Sequence, residues 1–205
     1  GGLIMAHGDD RGLRVPPRLA AVQAVVMVVK DDDDGSITDA ARRLVQELTD
    51  AGVRVRLDAQ VATAFGRRAT DWELKGVPVR IEVGPRDLAE GRVVLARRDT
   101  GDKTPTEVAS VAATLPALLE EIQANMAATA LAERDARTVD CSTVEEALEA
   151  AATGFGRIAW SALGEEGIER LGRDAVTVRC LQTPDGDLPA SDDDPDAVAL
   201  VARSY

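Results

Sequence analysis

The chain is poor in several things at once. Only 2% of its 205 residues are aromatic, and it has one histidine, His7, and two cysteines, Cys141 and Cys180. No apolar run approaches the roughly 20 residues that cross a bilayer, and no charged region precedes an apolar stretch at the start. The reading is therefore a soluble, cytoplasmic protein without a membrane anchor. The cysteines lie 39 positions apart with no CxxC spacing, which argues against a disulfide framework or a metal knuckle. His7 has no partner that spacing can identify, so it is read as an element-end residue rather than a ligand or a base. A glycine-rich phosphate loop after the first strand is also missing, which disfavours a generic α/β domain for a small metabolite.

Cations are scarce too, and a net charge of −12 seems ill suited to a nucleic-acid partner, because phosphate contacts use Lys and Arg. The distribution changes that. Residues 1–104 carry 17 Lys+Arg and 17 Asp+Glu, whereas residues 105–205 carry 7 and 19. Four acids of the first half, Asp31 to Asp34, read as a solvated loop before a helix N-terminus, where negative charge is favoured. Asp192 to Asp194 are read as a second solvated loop. The first half thus has room for a basic face.

What is present is an alternation of strands and helices. Val22–Lys30 is nearly all apolar and β-branched, as a strand covered on both faces should be. Ser36 with Asp39 reads as a helix start, and apolar residues at helical spacing followed by Gly52 predict a helix over 37–51. Strands are expected at 53–57, 77–83 and 92–96, with a short helix or turn over 70–75 ended by Gly76. Thr104-Pro105-Thr106-Glu107 has the form of a capping box and predicts the start of a long helix carrying Val108, Val111, Leu115, Leu118, Leu119, Ile122 and Met126 on one face, with a kink at Pro116. A third box, Ser142 to Glu145, predicts a helix through Ala152 stopped by Gly154. The segment 157–160, a helix near 165–171 and strands near 176–181 and 198–203 complete a small second domain. The fold class expected is α/β: a mixed β-sheet flanked by helices, followed by a small α+β domain. Gly1 to His7 reads as the end of an element that begins earlier, and residues 12–17 as an extended linker.

The segment Asp71-Trp72-Glu73-Leu74-Lys75-Gly76-Val77-Pro78-Val79-Arg80-Ile81-Glu82-Val83-Gly84-Pro85-Arg86-Asp87-Leu88, with Arg97-Arg98-Asp99-Thr100-Gly101-Asp102-Lys103 after it, resembles prolyl-tRNA synthetases of the archaeal and eukaryotic type. His7 to Leu13 and Val15 to Ala20 are similar to that family's connection into its anticodon-binding domain, and Ala202 to Tyr205 to its C-terminal tail. The resemblance implies that residues 1–21 are the tail of a catalytic domain and a linker, 22–135 the anticodon-binding domain, and 136–205 the C-terminal domain. It also implies that the three class II catalytic motifs lie before Gly1, so no residue here is catalytic and Arg18 is not the arginine of the third motif. ATP and magnesium are implied for the complete enzyme, as is a homodimer formed through the missing catalytic domain. The family commonly binds zinc in its C-terminal domain through two cysteine pairs, the first after a tryptophan. Here Ser161 follows Trp160 and no such pairs occur, so no zinc and no other metal is expected. Cys180 falls in a stretch similar to a family strand whose cysteine is not a ligand. Ala21 stands where the family usually has proline.

Proline codons begin CC, so their tRNAs present two successive guanines in a single-stranded anticodon loop. Guanine donates from N1 and N2, which suits a carboxylate, and accepts at O6 and N7, which suits Arg or Lys. The resemblance points to Glu73, Arg80 and Lys103 as base readers and adds Lys75 and Arg86. On the residues alone, Arg80 and Glu82 read as an exposed strand face with an ion pair worth roughly 0 to 1 kcal/mol. Trp72 and Phe65 can be stacking platforms or core anchors, and few aromatics in the chain favour the core for Trp72. Two functions stay open: the anticodon-binding portion of a proline-tRNA ligase, with the tRNA(Pro) anticodon loop as partner, and a free-standing RNA-binding or regulatory module derived from one. The role of Tyr205 also stays open.

Overall fold

The computed structural model describes residues 1–32, 34–191 and 194–204. The chain divides into two units, Gly1–Ala130 and Leu131–Tyr205. Asp33, Asp192 and Asp193 of the two acidic loops lie outside the described residues, as does Tyr205.

The first unit opens with a short helix, α1 (Gly2–His7), and a hairpin of β1 (Gly8–Asp9) and β2 (Gly12–Leu13). There follow β3 (Ala24–Val28), α2 (Ser36–Asp50), β4 (Val55–Asp58), α3 (Phe65–Leu74), β5 (Val79–Val83), α4 (Pro85–Ala89), β6 (Arg92–Arg97), β7 (Lys103–Glu107) and the long α5 (Val108–Ala136). The sheet order is β4-β3-β5-β6-β7, with β3 parallel to β4 and β5, and β6 antiparallel to both β5 and β7. This is the mixed sheet that the strand and helix alternation predicts.

The period of two along each strand decides what each face carries. Val26 and Val28 of β3 with Val79, Ile81 and Val83 of β5 join the buried cluster that includes Leu44 and Leu48 of α2 and Val111, Leu115 and Ile122 of α5. The intervening residues Val25 and Met27 face the opposite way and pack with Ala69, Val77, Phe65 and Trp72, so α3 covers that face. Residues Arg80 and Glu82 of β5 share this second face.

Three local readings change. The helix expected from Thr104 begins only at Val108, because Lys103–Glu107 pairs with β6 as strand β7. Pro105 is tolerated there since β7 is an edge strand and its missing N–H costs no ladder bond. The start of α2 is capped from upstream rather than by Ser36: Asp34 accepts from the Ser36 amide at 3.0 Å, and Asp31 accepts from both the amide and the hydroxyl of Thr38. The short helix expected at 70–75 is longer, and its end is fixed by Gly76, whose φ of 72° is left-handed. A Cβ at Gly76 would lie 2.6 Å from the Leu13 carbonyl oxygen, so the turn also seats β2 against α3.

The second unit contains β8 (Thr138–Cys141), α6 (Val144–Ala151), β9 (Phe155–Ala159), α7 (Trp160–Arg173), β10 (Val176–Gln182) and β11 (Val198–Arg203). Its sheet runs β10-β11-β9-β8. The α6 cap is Thr143, which accepts from the Glu146 amide, one residue later than the box expected at Ser142. Ile158, Leu163, Leu171, Ala199 and Val201 are among the residues of its core.

Ile81 is fully buried on the central strand. Ile81→Ala should therefore cost about 2 to 5 kcal/mol of stability, read as a lower urea midpoint at unchanged slope.

Candidate nucleic-acid interface

Across β5, β6 and β7 the register places Arg80 opposite Ala96, and Ala96 opposite Lys103. These three share one face of the sheet, with Glu82 two residues along β5. Ala96 has only a methyl group, so the long side chains on either side reach over it.

What they build is a ladder of alternating charge. Arg80 donates from Nε to Glu82 Oε1 at 3.0 Å and from Nη1 to Glu73 Oε1 at 2.9 Å. Lys103 Nζ lies 2.9 and 3.1 Å from the two Glu82 oxygens. The Arg80 and Glu82 side chains are only 11% and 12% exposed, whereas Glu73 and Lys103 are 37% and 52% exposed. The inner pair is thus a fixed support, and the outer pair faces solvent with hydrogen-bonding capacity left over. Arg80 and Glu82 are not the exposed strand face that alternation alone implies: the surrounding elements cover them. A cavity of about 70 Å³ sits over the ladder, with Trp72, Glu73, Arg80, Ala96 and Lys103 among its lining.

Of the five residues expected to form the site, the fold brings together Glu73, Arg80 and Lys103. Lys75 lies just past the end of α3, with its ammonium 4.4 Å from the centre of the Trp72 ring. Arg86 is exposed on α4 and enters no ion pair among the described residues. Trp72 and Phe65 take the core alternative, both packing partly buried on the α3 side of the sheet. His7 closes α1.

Charged residues that spacing did not single out hold this region in shape. Arg98 is buried and donates to both Asp9 oxygens at 2.7 and 3.0 Å, while its Nε donates to the Glu73 carbonyl at 3.3 Å. It thereby ties the β1–β2 hairpin to the end of α3 that carries Glu73. On the other side of α3, Arg68 and Asp58 form a buried ion pair at 2.8 Å, and the Trp72 indole donates to the second Asp58 oxygen at 2.7 Å. Burial pushes the Asp58 carboxyl up, but the hydrogen bonds from Trp72 and Arg68 outweigh it and leave it below its ordinary value. Among the described residues no group of three or more His, Cys, Asp or Glu is placed to hold a metal ion, and no helix is long and apolar enough to cross a membrane.

Comparison with known proteins identifies the class first. Residues 23–118, which include the ladder, match the anticodon binding domain family. The whole chain is 58% identical to a proline–tRNA ligase of Frankia alni, covering 44% of it, and 35% identical to the chloroplastic/mitochondrial proline–tRNA ligase of Arabidopsis thaliana, covering 40% of it. Among solved structures, prolyl-tRNA synthetase from Cryptosporidium parvum, crystallised with L-proline and AMP, superposes with a TM-score of 0.84 at 26% identity, covering 98% of this chain and 45% of that one. The chain belongs to the prolyl-tRNA synthetase family and corresponds to its C-terminal part. It spans less than half the length of the relatives it matches.

The Arg98 hydrogen bonds hold the Asp9 carboxyl down at about 2, below its ordinary 3.8. A carboxylate with a depressed folded-state pKa stabilises the fold above its unfolded value, and that contribution fades as pH falls from 3.8 through about 2. A carboxyl NMR titration should give Asp9 a midpoint near 2, moving up towards 3.8 in Arg98→Met; a wild-type midpoint near 4 would remove the clamp from the account.

Proposed function

We propose that this chain is the tRNA-anticodon-binding portion of a proline-tRNA ligase, and that Glu73, Arg80 and Lys103 read the two guanines of the tRNA(Pro) anticodon loop. The observation that carries the reading is the charge ladder over Ala96 inside the segment that matches an anticodon binding domain. Its base-reading members have complementary chemistry for guanine: the Glu73 carboxylate for N1–H and N2–H, and the Arg80 and Lys103 donors for O6 and N7.

The free protein pairs these charges with one another, so base reading uses the atoms left over and an exchange of partners. Glu82 has both oxygens engaged and stays as the anchor. Glu73 Oε2 forms no hydrogen bond among the described residues, and the same holds for Arg80 Nη2. A guanine docking here can take Glu73 as acceptor and Arg80 or Lys103 as donor without dismantling the Arg80–Glu82 support. A base with the donors and acceptors reversed would leave Glu73 facing an acceptor, and a buried unsatisfied charge is costly. Arg86 and Lys75, which stand outside the ladder, are given no base-reading role.

In the complete enzyme this portion would position the tRNA for ATP-dependent attachment of proline. Residues 1–21 are read as the tail of the catalytic domain and a linker, 22–135 as the anticodon-binding domain, and 136–205 as the C-terminal domain. ATP and magnesium belong to the catalytic domain, through which the enzyme would form a homodimer, and the setting is cytoplasmic. No side chain of this chain is given a part in the chemical step.

The test is fluorescence anisotropy with a proline anticodon stem-loop and with a control whose two guanines are replaced by adenine, at fixed ionic strength. Wild type should prefer the guanine RNA. Arg80→Ala should lose most of that preference, on the scale of about 1 to 3 kcal/mol for a bidentate base contact. Equal wild-type affinity for both RNAs would rule out base reading.

A further inference from the structure

On the far side of Trp72 from the ladder lies an open groove of about 590 Å³ between β4 and α3. Its walls carry Arg56, Arg67, Arg68 and Lys75 against two carboxylates, Asp58 and Asp71. In a chain of net charge −12 this is a local excess of positive charge. The Asp58 carboxylate is paired with Arg68 and accepts a hydrogen bond from the Trp72 indole, which leaves Asp71 as the one lining carboxylate outside an ion pair among the described residues. Arg56, Arg67 and Lys75 are exposed, and none enters an ion pair among the described residues, although Asp71 lies in the same groove.

Arg67, Asp71 and Lys75 follow one another at a spacing of four, which puts them on one stripe of α3 and its cap. Eight residues of helix cover about 12 Å, the axial length of three to four phosphates in one strand at about 3.4 Å each. Lys75 stands at the end nearest Glu73, held by its contact with the Trp72 ring. We infer that this groove is a phosphate track: Arg67, Lys75 and Arg56 bind the RNA backbone beside the anticodon bases and deliver it to the ladder. The inference rests on the RNA-binding reading above and assigns Lys75 to phosphate rather than to a base. Base contacts specify and phosphate contacts position, so the two sets of residues should separate experimentally.

The experiment measures anisotropy of the same guanine and adenine stem-loops with this chain over a range of salt concentrations. For Arg67→Ala with Lys75→Ala, the slope of log affinity against log salt should fall by roughly 1.4 to 1.8, from about 0.7 to 0.9 per phosphate lost, with the guanine preference intact. Asp71→Asn should raise affinity for both RNAs alike. Arg80→Ala should lose the preference and keep the slope. If wild type prefers guanine and the double variant keeps the wild-type slope, the track is wrong and the base reading stands. If the double variant loses the guanine preference, Lys75 or Arg67 reads a base and the assignment is overturned. If wild type shows no preference but the slope still falls in the double variant, the track stands and the base reading fails.

Discussion

Two charged residues two positions apart on the central strand of a five-stranded sheet must find partners within the protein, because a buried charge without a partner costs several kcal/mol. Arg80 and Glu82 meet that constraint through each other and through Glu73 and Lys103. Much of the local architecture serves the same end. The end of α3 must bring Glu73 within reach of Arg80, and Gly76 lets the chain turn sharply enough to enter β5. Edge strand β7 must pair with β6 in the register that sets Lys103 beside Ala96. A residue larger than alanine at position 96 would stand between the two cations and the carboxylate that joins them.

A site whose charges are already paired in the free state has a consequence for specificity. Its polar groups lose nothing by waiting, since each of the central charges already has a partner, so the protein can carry a buried ion network without a ligand. Discrimination then comes from exchange: only a base that replaces each displaced partner with one of the same polarity leaves no charge stranded. Phosphate binding needs no such exchange. Arg56, Arg67 and Lys75 of the β4–α3 groove are suited to it because none of them is held in an ion pair among the described residues.

Local signals made much of the fold legible. The apolar run at 22–30, the helical spacing over 37–51 and the strand read at 198–203 name β3, α2 and β11, whose bounds differ from those readings by a few residues at most. Thr104 to Glu107 misled because a capping box and a polar edge strand look alike in four letters, and the long-range ladder with β6 decides between them. Strand β8 gave little signal, as only Cys141 of its four residues is buried. The site was legible through resemblance rather than spacing. Glu73, Arg80 and Lys103 span 31 residues of sequence, and only the order of β5, β6 and β7 brings them together. Glu82 was visible and was given the ordinary role of a surface ion pair, since nothing in the local pattern says that α3 and the N-terminal hairpin close over that face. Arg98 and Asp9 are 89 residues apart, beyond any motif.

The central claim is that Glu82 works as an anchor for the base-reading groups and touches no base itself. Glu82→Gln keeps the shape and one acceptor oxygen but removes the charge that holds Arg80 and Lys103 together. The deciding measurement is the ratio of affinities for guanine and adenine stem-loops in this variant, taken with its urea midpoint. The account predicts a folded protein whose ratio falls at least tenfold, about 1.4 kcal/mol, towards that of Arg80→Ala. A folded variant that keeps the wild-type ratio would contradict it.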